Sequence, residues 1–223
     1  HAGAPFVWST AGWGVLVASD GADFHLAPGR ITVDHLAQRD PVLLVFAGPP
    51  AGIFAALARA SGAPPLFPKW ASGFINSQWG IDEAAFRAIV AGYRARRIPL
   101  DAFTFDFDWK AWGADDYGEF RWNAVKFPGG PDGSLKRDMD RLGVHMTGIM
   151  KPRIHLGTVQ GREADALGLW LKAAPATPDY FSGKPVRDVD FDLAATRRWF
   201  FHPALAASFD TGIVGWWNDE ADT

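Results

Sequence analysis

The chain has 223 residues, 48% of them hydrophobic, a formal charge of −3 and no cysteine. Such a length and apolar fraction allow one or two domains with a substantial core. The balanced charge, with no basic block or acidic tail, argues against nucleic acid and membrane surfaces as partners. Disulfides and thiolate metal sites are excluded, no apolar run reaches membrane-spanning length, and no charged-then-apolar signal segment follows His1. The compartment stays open, because exported proteins can also lack cysteine.

Aromatic content is high, with 11 Trp and 17 Phe. Trp70, Trp79, Trp109, Trp112, Trp122, Trp216 and Trp217 lie near Gly, Asp or Asn. Any one of them is most simply a core residue. As a set beside carboxylates they suit a flat, hydroxyl-bearing ligand such as a sugar.

Residues 1–48 contain short β-rich runs, Phe6–Trp8, Trp13–Val17 and Pro41–Phe46, divided by Gly, Asp and Pro turn signals. This is antiparallel sheet material, too little for an independent domain. Residues 49–69 read as a linker: a short amphipathic helix over Ala51–Ala60, then the proline-rich GAPPLFPKW. From Trp70 the rhythm becomes strand and helix in alternation. Ser72–Gln78 is a predicted strand, and Asp82 caps a helix to about Arg96 with Phe86, Ile89, Val90 and Tyr93 as its apolar stripe. Leu100–Phe105 is the second strand, followed by a long polar and aromatic insertion. A helix in DGSLKRDMDRLG closes at Gly143, and Val144–Met150 is the third strand. A further insertion leads to a helix over Leu193–Ser208 and a fourth strand, Gly212–Trp217.

Strands separated by helices, with polar residues gathered after the strands, form the rhythm of a parallel α/β fold. A (β/α)8 barrel carries its functional groups at the C-terminal strand ends. Here those ends read Trp79, Asp106 with Asp108, Lys151, and Asn218-Asp219-Glu220. A doubly wound sheet is the alternative, but no strand is followed by GxGxxG or GxxxxGK[ST], which argues against a nucleotide-binding version. In DAFTFDFDWKAWG, an apolar strand runs into Asp106 and Asp108. If the backbone stays extended, their spacing places both on one side.

The ordered segments PKWASGFINSQWG, YRARRIPLDAFTFDFDW, LGVHMTGIMKPRI and GIVGWWNDEAD resemble glycoside hydrolase family 31, a group of retaining α-glucosidases, α-xylosidases and relatives. The resemblance extends over nearly the whole chain. It implies an α/β fold, a (β/α)8 TIM-type barrel with about four βα units in residues 70–223, preceded in residues 1–48 by the last strands of a β-sandwich. Trp217-Asn218-Asp219-Glu220 matches the family's nucleophile motif, making Asp219 the implied nucleophile. Asp106-Phe107-Asp108-Trp109 matches the strand end that binds sugar hydroxyls, with Asp106 as the ligand, Asp108 beside it, and Trp109 and Trp217 as walls. Lys151 falls where the family often places another polar residue.

The resemblance implies cleavage of terminal α-linked sugars by double displacement, without metal or cofactor. The partners expected are an oligosaccharide or small α-glycoside, and the rest of the barrel. The family's acid/base lies downstream of the nucleophile, so it is expected beyond Thr223 and the segment alone is expected to be inactive. The alternative is a non-catalytic carbohydrate-binding relative, which leaves a carboxylate at Asp219 without purpose. A third reading, DFD as the metal-binding DxD of a nucleotide-sugar transferase, also leaves Asp219 unexplained. His145, His155 and His202 lack metal-ligand spacing and read as packing or surface residues.

Overall fold

The computed structural model describes residues 5–19, 22–35, 42–112, 116–180 and 182–219. The chain forms two compact units, divided between Leu66 and Phe67.

In the first unit, β1 (Phe6–Ser9), β2 (Trp13–Ala18) and β5 (Val42–Ala47) form an antiparallel sheet in the order β1-β2-β5, while β3 (Ala22–Ala27) and β4 (Arg30–His35) form a separate hairpin. Helix α1 (Pro50–Ser61) begins with proline inside its first turn, where the missing N–H costs no hydrogen bond. It buries Ile53, and Phe54 meets Phe6 and Trp8 edge-on at 6.0 and 5.1 Å. Strand β5 leaves Val42, Leu43 and Val45 exposed.

The second unit opens with a 3₁₀ turn at Lys69–Ser72, then β6 (Ile75–Gln78), α2 (Glu83–Ala95) and β7 (Ala102–Phe105). After β7 the chain makes a 3₁₀ turn, Phe107–Trp109, and an antiparallel pair, β8 (Lys110–Trp112) and β9 (Asp116–Trp122). Helix α3 (Ser134–Leu142) and β10 (His145–Met150) follow. Next come β11 (Arg153–His155), α4 (Val159–Leu167), β12 (Thr177–Pro178) and β13 (Pro185–Asp188), whose strands make a small antiparallel sheet. The described chain ends with α5 (Ala194–Asp210) and β14 (Ile213–Asn218). Helix α5 runs through His202 and Pro203, so His202 lies mid-helix.

Strands β14, β10, β7 and β6 form one sheet in that order, with every neighbouring pair parallel. This is part of a parallel α/β barrel. Alternation sorts its side chains. Phe103 and Phe105 turn toward α2, where both rings meet Phe86 at 4.8 Å. Asn76 on the same face donates to the Tyr93 hydroxyl of α2 at 3.3 Å. On the opposite, inner face Thr104 and Thr147 share a 2.7 Å hydroxyl bond. The register pairs Thr104 with Ser77 and Thr147, and Ile149 with Trp217. One more step of two residues along each strand brings Trp79, Asp106, Lys151 and Asp219 to the C-terminal edge of that face.

Candidate active site

Asp106 follows the last strand residue of β7 and caps the 3₁₀ turn, accepting from the Phe107 N–H at 2.6 Å. The extended backbone therefore stops at Asp106, and the expectation that Asp108 shares its side is corrected. Asp108 is 3% exposed. It accepts from the Gly80 N–H at 2.5 Å and from the Lys126 ammonium. The reason lies one residue on. Trp109 is wholly buried, with its indole N–H donating to the Ile149 carbonyl at 3.3 Å. Its ring covers Gly148, where a Cβ would come within 2.7 Å of the indole nitrogen. Sinking that ring into the outer face of the sheet requires the chain to turn after Asp106.

The Asp219 N–H donates to the Met150 carbonyl at 3.1 Å, so the parallel ladder continues past β14 and holds Asp219 beside Lys151. Lys151 Nζ lies 3.9 Å from Asp219 Oδ2. Burial pushes the Asp106 carboxyl up from its usual range. The Phe107 N–H opposes this, the charges of Asp108 and Asp219 add to it, and Lys151 offsets part of it. Asp106, Lys151 and Asp219 thus form one electrostatic group at the sheet edge. Trp217 is 39% exposed on the inner face, and Trp79 is 67% exposed, edge-on to Phe107 at 6.3 Å.

Behind this group lies a second one that the sequence did not reveal. Lys110 on β8 is buried, with its ammonium 5.3 Å from the Phe120 ring centroid. Burial, and then the charge of Lys151, bring its pKa down to about 7, against the pull of Asp179. His155, read from the sequence as a packing or surface residue, is buried and exchanges a 2.9 Å hydrogen bond with the Ser182 hydroxyl. Its pKa is lowered by burial, opposed by Asp179 and reinforced by Lys110 and Lys151. Nothing in the local pattern of Trp109-Lys110-Ala111-Trp112 marks the lysine as interior. Among the described residues no cluster of three or more His, Asp or Glu could hold a metal. Glu220, the rival carboxylate in the Trp217-Asn218-Asp219-Glu220 motif, lies outside the described residues.

A partial parallel α/β barrel with carboxylates, a lysine and tryptophan at the C-terminal strand edge is the architecture of a barrel enzyme site. Residues 64–223 match the family described as "Glycosyl hydrolases family 31 TIM-barrel domain". The chain belongs to glycosyl hydrolase family 31. Over 96% of its length it is 38% identical to a 1,6-alpha-glucosyltransferase of Sporosarcina globispora. Over 99% it is 22% identical to an alpha-xylosidase of Saccharolobus solfataricus. It spans 18% and 28% of those two relatives' lengths. A family 31 dextranase from Flavobacterium johnsoniae, solved with isomaltotriose, shares the fold with a TM-score of 0.80 at 24% identity, covering 96% of this chain and 27% of that one.

Proposed function

We propose that the full-length protein acts on terminal α-linked sugars with retention of configuration, with Asp219 as nucleophile. The observation that carries this reading is the convergence of Asp106, Lys151 and Asp219 at the edge of one inner sheet face. Asp106, partly exposed at a strand end, accepts hydroxyl protons of the sugar, and a charged acceptor makes such bonds strong. Lys151 stands beside Asp219 and offsets part of the upward push on the Asp106 carboxyl, and Trp217 offers an apolar wall. Asp108 and Trp109, expected from the resemblance beside the sugar and as a wall of its pocket, support the site from beneath: one ties the end of β6 to the turn, the other anchors the turn to β10.

In a double displacement one carboxylate attacks the anomeric carbon, and a second carboxyl about 5 to 5.5 Å away protonates the leaving oxygen and then activates the incoming hydroxyl. Asp219 takes the first role. The second is assigned to neither Asp106, which binds the sugar, nor Asp108, which is committed to Gly80 and Lys126. It belongs to the full-length barrel. The acceptor hydroxyl decides the outcome: water gives hydrolysis, a sugar gives transfer. The likeness to a 1,6-alpha-glucosyltransferase supports glucose as the transferred sugar and makes transfer the second reading. We also read residues 1–48 as closing strands of a β-sandwich, because β5 carries apolar side chains on both faces.

The test uses the full-length protein and a 5-fluoroglucosyl fluoride, which traps the covalent intermediate. Label is expected on Asp219, and Asp219→Ala should lower turnover of an aryl α-glucoside by a factor on the order of 10⁴. Label on Glu220 or Asp106 would overturn the assignment.

A further inference from the structure

The turn between β12 and β13 carries Tyr180, which is 72% exposed. Lys151 Nζ lies 5.2 Å from its ring centroid and 3.9 Å from Asp219 Oδ2, so one ammonium neighbours both ring and carboxylate. The turn beneath the ring is held by buried polar groups. Asp179, nearly inaccessible, donates its N–H to the Lys184 carbonyl at 2.9 Å and accepts the Gly183 N–H on its own carbonyl at 2.8 Å. Its carboxylate accepts the Ser182 N–H at 2.7 Å and lies 3.9 Å from His155 Nε2. The Ser182 hydroxyl in turn meets His155 Nε2 at 2.9 Å and accepts the Lys184 N–H at 3.2 Å.

Burying a carboxylate and an imidazole to hold one solvent-facing turn is unfavourable unless the turn's position matters. What the turn presents is a flat ring, steadied from one side by a cation. Aromatic faces suit the apolar C–H faces of pyranoses, and tyrosine loses little side-chain entropy when fixed. Lys151 is mostly buried while Tyr180 is exposed, so the ring offers a face to solvent within reach of the ammonium that neighbours the proposed nucleophile.

We propose that Tyr180 is a sugar-stacking residue on the leaving-group side of the site, and that Asp179, Ser182 and His155 are the positioning residues that hold it there. The ligand class is an α-linked glucose oligosaccharide, with its second ring on Tyr180 while its first occupies the Asp106–Asp219 group. In transfer the same face receives the acceptor sugar. The inference rests on the reading of Asp219 and Asp106 as the donor-sugar site.

The experiment compares α-glucosyl fluoride, whose leaving group has no ring, with an α-linked glucose trisaccharide, using the full-length protein. Tyr180→Ala should lose about tenfold more kcat/KM on the trisaccharide than on the fluoride, mainly through KM. Tyr180→Phe, which keeps the ring, should restore the ratio, and Ser182→Ala should fall between. Equal losses on both substrates, or none on either, overturn the proposal. A second arm is independent of turnover: calorimetric affinity for the trisaccharide in an Asp219→Ala background should also fall about tenfold on Tyr180→Ala. An enzyme inert toward the fluoride would sink the catalytic reading. Unchanged or undetectable trisaccharide affinity would sink the role of Tyr180.

Discussion

Asp106 occupies its position at a cost to the fold. Its carboxyl is pushed up by burial and by the neighbouring charges of Asp108 and Asp219, even with the Phe107 N–H and Lys151 opposing. A folded-state pKa above the unfolded one means a stability contribution that is present below the usual carboxylate range and lost as pH rises through the raised value. At neutral pH the ionised group is therefore a liability, which is expected of a residue kept for ligand rather than for packing. Asp106→Asn retains an acceptor for the Phe107 N–H and removes the charge. The full-length variant should melt at the same or a higher temperature at pH 7. Its kcat/KM should fall roughly tenfold to a hundredfold for each sugar hydroxyl bond lost, since bonds to a charged partner are worth about 1.5 to 3 kcal/mol. Reduced stability with intact activity would show a structural residue instead. The strand-end position of Asp106 was legible in the sequence because it ends an apolar run. The fate of Asp108 was not, because alternation assumes a continuing strand and gives no weight to the need of Trp109 for a place in the core.

At the level of elements, the strands and helices of the barrel were legible because each carries its own local signal. Asp82 accepts the Ala85 N–H at 2.8 Å at the start of α2, and Gly143 takes a left-handed φ of 64° at the end of α3. Helix α4 has the same kind of signals, Thr158 accepting the Gly161 N–H at 3.0 Å and Gly168 at φ 65°, but only a weak apolar stripe between them. The short strands β8, β11 and β12 were invisible because two or three residues of strand have no readable period. Strand β8 carries the buried Lys110, and this has a measurable consequence. With its pKa lowered from 10.5 to about 7, the folded protein declines a proton that the unfolded chain accepts throughout that window. Stability therefore rises with pH between these values, and at or below neutrality the full penalty applies. Lys110→Met should stabilise the full-length protein by about 1 to 4 kcal/mol near neutral pH. The gain should shrink as pH approaches about 10, the ordinary range for lysine. Denaturant unfolding at two pH values reads this directly, and a pH-independent loss of stability would show that the ammonium is needed where it lies.

For the whole molecule, the relevant fact is a sheet whose described edges are β6 and β14. Ile75 on one edge and Trp217 on the other leave apolar surface exposed on or beside the inner face, and Trp79 extends it. In a closed barrel no strand has an unpaired side, and the interior is filled by side chains from all around the ring. Open edges with an uncovered apolar face favour pairing with other chains. The family and the order of the segments were readable from sequence because motif residues cluster at strand ends. The closure of the barrel is a property of the ring as a whole. The 223-residue chain prepared alone is therefore expected to self-associate and to bind a hydrophobic dye such as ANS, with a broad thermal transition. The full-length protein should melt cooperatively and bind little dye. Sedimentation and dye titration of the two samples make the comparison. A monomeric, dye-silent, cooperatively melting 223-residue chain would mean that these strands close their own core, and that the exposed row on β6 and β14 serves some purpose other than joining further strands.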